Sequence, residues 1–265
     1  MSSASLIGET RKLVGGLLTR ARGKSGGTPA GQPSAPAGAK REFPPDYDDE
    51  AREIITAVRP YTMTGSDKLY ALLMATRYVH DAKVPGAIVE CGVWRGGSIH
   101  AVARTLDRRD DHSRELYLFD TFEGMPPPGE NDLRWDGKSA DALLAEHSRS
   151  SRVHAAASLE DVKQGMNTVP YPRERIHYVP GMVEETIPDR APEQIAILRL
   201  DTDWYESTKH ELEHLYPRLP SGGVLIIDDY GWWQGSRQAT EEYFGDSGRP
   251  IMLVRAGSGR IGVKP

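Results

Sequence analysis

The sequence has a single cysteine, Cys91, in 265 residues, so it can form no intrachain disulfide and offers neither a Cys-rich zinc site nor an iron–sulfur cluster. It lacks any apolar run approaching the roughly 18 residues of a membrane span, and its first residues lack the apolar core and cleavage site of a signal peptide. Nor is there an excess of positive charge. The formal net charge of −5 argues against nucleic acid as a partner, which requires a basic face. Together these absences predict a soluble, cytoplasmic protein without a transmembrane segment. Its length suffices for one sizeable α/β domain and a tail.

What is present centres on residues 195–230. Ile195, Ile197, Leu198 and Leu200 form one short apolar run and Val224 to Ile227 another, each of the length and branched composition of a buried parallel strand. Between them Glu206 to Leu219 reads as a helix, with Leu212, Leu215, Tyr216 and Leu219 on one stripe and Pro220, Gly222 and Gly223 as the stop. In such a βαβ unit the ligand crevice lies beyond the carboxyl ends of the strands. Asp201 and Asp203 would meet Asp228 and Asp229 there. Four carboxylates in one mouth repel one another, and a hard divalent cation such as Mg²⁺ relieves that repulsion.

Upstream, residues 1–40 stand apart from the domain that begins at residue 41. Leu6, Ile7, Leu13, Val14, Leu17 and Leu18 share a helical face interrupted by Gly15 and Gly16, which reads as a frayed appendage or a docking helix. Gly23 to Lys40 has the composition of a flexible linker. Asp48 to Val58 and Ser66 to Val79 read as helices, and the polar loop between them either borders a ligand or caps the second helix.

A strand, a glycine-rich turn and a helix start follow in Gly86 to Ser98, then a second strand in Leu116 to Asp120. An acid about 20 residues beyond such a turn reaches a nucleoside ribose, and Asp120 has that spacing. A dinucleotide would need a second glycine where Trp94 stands. That indole, with Glu90 at the strand end, disfavours NAD and suits S-adenosylmethionine, whose amino-acid end carries an ammonium group. Phe122 to Gly137 is rich in Pro, Gly and acids, as active-site lids and surface insertions are. Asp141 to Arg149 and Leu159 to Asn167 read as helices, Ile176 to Val179 as a strand whose following turn flanks the adenine, and Arg237 to Phe244 as a helix. Ile251 to Val254 and Arg260 to Lys264 read as a closing antiparallel hairpin.

Four ordered motifs, Glu90 to Gly97, Leu118 to Pro126, Arg199 to Thr208 and Gly222 to Tyr230, resemble the macrocin O-methyltransferase family of sugar O-methyltransferases. The resemblance implies a class I methyltransferase fold, Rossmann-like, with a mostly parallel sheet, helices on both faces and a C-terminal antiparallel hairpin. It implies S-adenosylmethionine as methyl donor, Mg²⁺ at Asp201, Asp228 and Asp229, Asp203 as the base, a glycosyl or other small-molecule acceptor, and a homo-oligomer. Cofactor contacts are expected from Thr62, Met63, Glu90, Cys91, Gly92, Trp94, Asp120, Phe122, Ser158, Gly181 and Met182. Trp204, Tyr205, Trp232 and Trp233 are candidates to stack on a sugar, close the crevice or form the core rim.

Other readings remain open at this level. His210-Glu211-Leu212-Glu213-His214 is literally the H-E-x-x-H zincin signature, although helical geometry turns both histidines away from the leucine stripe and toward solvent. Asp201-Thr202-Asp203 is a D-x-D sequence of the kind that holds a nucleotide-sugar diphosphate through a cation. A catechol-type acceptor would present the same adjacent oxygens as a sugar.

Overall fold

The computed structural model describes residues 43–148, 154–246, 248 and 250–265. The tail and linker expected in residues 1–40, and the end of the helix expected at Asp141 to Arg149, lie outside them.

Helix α1 (Asp49–Val58) starts where the Asp48 carboxylate accepts from the Ala51 N–H at 2.7 Å, and buries Ala51, Ile54, Ile55 and Val58, an i, i+3, i+4, i+7 stripe. It packs with α2 (Ser66–Asp81) and α3 (Gly97–Asp107), which follows strand β1 (Ala87–Cys91). Then come β2 (Leu116–Asp120), α4 (Ala140–Ala145), α5 (Leu159–Met166), β3 (Ile176–Pro180) and α6 (Val183–Thr186). The acid-bearing unit is β4 (Ile195–Leu200), α7 (Tyr205–Leu215) and β5 (Val224–Ile227), followed by α8 (Gln234–Asp246), β6 (Val254–Ala256) and β7 (Gly259–Val263).

Among the described residues, seven strands form one sheet in the order β3-β2-β1-β4-β5-β7-β6, all running the same way except β7, which is antiparallel to both its neighbours β5 and β6. The expected fold class is therefore observed. β1 and β4 are neighbours at the point where strand order reverses, which is where open α/β sheets bind ligands. Both faces are covered. Val102, Leu106, Val162 and Met166 pack on one side, and Leu212, Leu215, Tyr216 and Leu219 on the other, so the central strands β1, β4 and β5 are buried along their length.

Several boundaries differ from expectation for local reasons. Helix α7 ends at Leu215 and tightens into a 3₁₀ turn over Tyr216–Arg218, because Pro217 has no N–H to continue the α ladder. The first hairpin strand begins at Val254 instead of Ile251, since the two-residue turn at Gly257-Ser258 sets the register that pairs Val254 with Ile261. Helix α8 starts three residues before Arg237.

The face of α7 opposite the leucine stripe is only partly open to solvent: Glu206 and Glu213 are exposed, but His210 Nε2 lies 3.0 Å from the Ile187 carbonyl, and just beyond the helix Arg218 donates to the carbonyls of Ala191 and Pro192. His210 and His214 are half-buried with ring centroids 4.4 Å apart, which corrects the solvent-facing placement.

Candidate active site

The turn after β1 is built on backbone freedom. Gly92 has φ +80°, and a Cβ there would lie 2.0 Å from the Asp201 carbonyl, so β1 and β4 can end side by side only with glycine at this position. Trp94 and Gly96 also have positive φ, at 47° and 84°. A Cβ on Gly97 would meet the Thr62 side chain at 2.5 Å, so the loop carrying Thr62 and Met63 sits directly against the start of α3. Asp120, at the end of β2, ties this turn down. Its Oδ2 accepts from the N–H groups of Val93 (2.6 Å) and Trp94 (3.0 Å), and its Oδ1 from Phe122 N–H (2.7 Å).

The acids follow from the same ladder. Asp201 N–H donates to the Cys91 carbonyl at 2.8 Å and Asp228 N–H to the Leu200 carbonyl at 2.9 Å, so the strand ends align and Asp201, Asp228 and Asp229 converge. One carboxylate oxygen from each lies within 4.8 Å of the others. Asp203 stands next to them. Its N–H donates to Asp229 Oδ2 at 3.2 Å and its Oδ1 accepts from the Trp233 indole N–H at 2.6 Å.

Two cations face the acids. Arg199 is buried and donates to Glu90 Oε1, Asp201 Oδ2 and Asp228 Oδ1, each at 2.6 Å, while the Lys68 ammonium bonds the Asp228 carboxylate and, at 2.9 Å, its carbonyl. Counted as ionised, the five acids Glu90, Asp201, Asp203, Asp228 and Asp229 exceed the two cations Arg199 and Lys68. Burial by itself would raise Asp228, but the charges of Arg199 and Lys68 outweigh it and hold that carboxyl below its usual range. Burial, then repulsion between neighbours, raises Asp201 and Asp229, and burial with the charge of Asp201 pushes Asp203 up to about 7. Three converging oxygen ligands with an unbalanced negative charge fit a hard divalent cation.

These residues border a cavity of about 470 Å³, within the range of small-ligand sites. Of the expected cofactor residues, Met63, Gly92, Trp94, Asp120, Gly181 and Met182 line it together with Asp201, Asp203, Asp228 and Asp229. Thr62, Glu90, Cys91, Phe122 and Ser158 do not line it. Thr62 accepts from Thr64 N–H, Ser158 caps α5 through Asp161 N–H, Phe122 packs in the core and Cys91 is buried next to Glu211. Glu90 is buried and accepts from Arg199 through Oε1. Among the aromatics, Trp232 lines the cavity and is exposed, whereas Trp204, Tyr205 and Trp233 are buried.

Sequence reading missed Lys68, Arg199, Glu211 and Asp132. Arg199 left one signal, a charge inside the apolar run IAILRL, which can be buried only with partners. Glu211 left another, because Ser207, Thr208, Glu211 and Leu215 recur at helical spacing and all are buried. No local signal marks Lys68 or Asp132.

A parallel sheet with this switch point, glycine turn and ribose-spaced acid defines a class I methyltransferase. The macrocin O-methyltransferase (TylF) family model matches residues 37–251, and the chain belongs to that family. It is 34% identical over 183 residues (69% of this chain, 67% of the relative) to demethyldecarbamoylnovobiocin O-methyltransferase of Streptomyces niveus. It is 35% identical over 188 residues (71% and 69%) to 8-demethyl-8-(2,3-dimethoxy-alpha-L-rhamnosyl)-tetracenomycin-C 4'-O-methyltransferase of Streptomyces olivaceus. The solved structure of the O-methyltransferase NovP superposes with a TM-score of 0.68 at 32% identity, covering 77% of this chain and 82% of that one. The chain is an S-adenosylmethionine-dependent O-methyltransferase. Among the described residues, no helix is long and apolar enough to cross a membrane.

Proposed function

We propose that the protein methylates a hydroxyl of a sugar unit on a glycoside, glycolipid, oligosaccharide or glycosylated natural product, with Mg²⁺ held by Asp201, Asp228 and Asp229. The observation that carries this reading is the convergence of those carboxylates and Asp203 on the same cavity as Trp94 and Asp120. The tetracenomycin relative, named for methylation at a rhamnosyl compound, supports a sugar acceptor.

Bound Mg²⁺ would supply positive charge that lowers the pKa of an acceptor hydroxyl. Asp203, which lines the cavity beside these carboxylates, takes the hydroxyl proton. The acceptor oxygen bonds to the methyl carbon as the carbon–sulfur bond breaks, its electron pair staying on sulfur, to give a methyl ether and S-adenosylhomocysteine. Asp120 and the glycine turn hold the donor side, and Trp94 narrows it. The exposed Trp232 offers a face to a sugar ring.

The test is a methyl-transfer screen with labelled donor against glycosides, free sugars and catechols, with and without a chelator. Glycosides bearing vicinal hydroxyls should label, and chelator should abolish the label. Labelling of catechols alone would overturn the acceptor class, and full activity in chelator would overturn the metal.

A further inference from the structure

We propose that Asp132, on the segment between β2 and α4, is a positioning residue for methyl transfer: it clamps the turn that presents Asp203. The proposal rests on Asp203 being the base. Asp203 has φ +69°, and Trp204 N–H donates to the Thr202 carbonyl at 2.8 Å around it. This three-residue turn is rare and strained for a residue with a β-carbon, and persists only where neighbours hold it.

Besides Asp229, which accepts from the Asp203 N–H at 3.2 Å, three neighbours do. Glu211 accepts from Thr202 Oγ1 at 3.0 and 3.1 Å, the Trp233 indole donates to Asp203 at 2.6 Å, and Asp132 Oδ1 accepts from Tyr205 N–H at 2.8 Å. The first belongs to the same βαβ unit and the second follows β5. Asp132 comes from 73 residues upstream of the group it holds.

Its geometry is that of a built clamp. Asp132 is 2% exposed, its Oδ2 accepts from Gly129 N–H at 2.7 Å, and its carbonyl accepts from Ala140 N–H at 2.9 Å, so the carboxylate is fixed before it reaches α7. It meets the first N–H of a helix, where peptide dipoles favour a negative charge, and α7 has no side-chain cap of its own. The path is open only because residue 235 is glycine: a Cβ there would lie 2.2 Å from Asp132 Oδ1. The same segment grips the other side of the base. Arg134 bridges Trp233, Gln234 N–H donates to the Leu133 carbonyl, the Trp204 indole N–H donates to the Pro126 carbonyl, and the Trp204 and Trp233 rings meet edge-on at 5.0 Å. Asp132 itself does not line the cavity.

The test uses the full chain with ¹⁵N-labelled tryptophan, whose five indoles give separate N–H signals, that of Trp233 identified by Trp233→Phe. In Asp132→Ala and in Gly235→Ala, which blocks the clamp while leaving Asp132 in place, the Trp233 indole signal should shift and exchange with solvent about tenfold faster. S-adenosylhomocysteine affinity by calorimetry should be unchanged. Asp132→Asn, which keeps one acceptor oxygen for Tyr205 N–H but loses the charge and the acceptor facing Gly129 N–H, should shift the signal less than either alanine variant. With methyl α-L-rhamnopyranoside as acceptor, the two alanine variants should lose turnover about 10- to 100-fold with the donor KM unchanged. In an Asp203→Asn background Asp132→Ala should lower turnover no further.

An unmoved Trp233 signal in Gly235→Ala overturns the proposal, as does collapse of all five signals together with cofactor binding in both Asp132→Asn and Gly235→Ala. Additive losses in the double variant also overturn it. Normal turnover in Asp203→Asn would instead remove the base assignment, whatever the indole signal does.

Discussion

Arg199 and Glu90 are register partners across β4 and β1, and their side chains meet at 2.6 Å with both residues buried. The guanidinium also spans to Asp201 and Asp228, so the cofactor-side acid and the acidic cluster share one cation. Removing it leaves Glu90 and Asp201 without a cation and Asp228 with Lys68 alone. Arg199→Leu is expected to destabilise the fold by about 3–5 kcal/mol, read from the urea midpoint. Arg199→Lys keeps the charge but lacks the planar fork that reaches three acids, and should recover only part of the loss.

On the proposed mechanism Asp201 and Asp203 fail differently when neutralised. Asp201→Asn removes a charged ligand from a hard cation, so raised Mg²⁺ should restore part of the lost turnover. Asp203→Asn removes the base, a loss of about 10²- to 10⁴-fold that Mg²⁺ should not repair. Metal titrations of turnover in the two variants separate the roles, and rescue of Asp203→Asn by Mg²⁺ would contradict the assignment.

His100 is fully buried on α3 against Tyr61, and neither ring nitrogen has a partner. Burial, with the nearby charge of Arg104, lowers its pKa from 6.5 to about 4. Between those values the unfolded chain binds a proton that the folded chain refuses. The contribution of His100 to stability is therefore complete above pH 6.5 and falls with pH through the window, by on the order of 3 kcal/mol at its lower end. Because the raised carboxyls of Asp201, Asp203 and Asp229 act in the opposite sense over the same range, the His100 slope is read as the difference between urea melts of the parent and of His100→Leu from pH 7.5 to 4.5, the variant gaining on the parent as pH falls.

Residues 23–40 are nearly all Gly, Ala, Pro, Ser, Thr and Gln, a composition with little large apolar surface to contribute to a core. A chain lacking residues 1–40 should melt at the parent temperature and bind S-adenosylhomocysteine with parent affinity. A fall of many degrees would show instead that the Leu6 to Leu18 face docks on the domain.

The sequence by itself determined the strands, the order of the helices and the acids at the strand ends. Apolar runs report burial on both faces, helical spacing reports one buried stripe, and in a parallel α/β sheet every strand's carboxyl end opens on the same crevice. Thus Asp120, Asp201, Asp203, Asp228 and Asp229 were legible one motif at a time. Tertiary structure alone decided which polar groups oppose them. Lys68 reaches Asp228 across 160 residues, Arg199 reaches Glu90 across 109, and Asp132 reaches Tyr205 across 73. Such pairings depend on strand order and on how a loop folds back, and no local pattern of apolar and polar residues encodes either. The same reason explains His210 and His214: helical spacing placed them opposite the core stripe, but only the packed chain brings the Ile187 carbonyl to 3.0 Å from His210 Nε2.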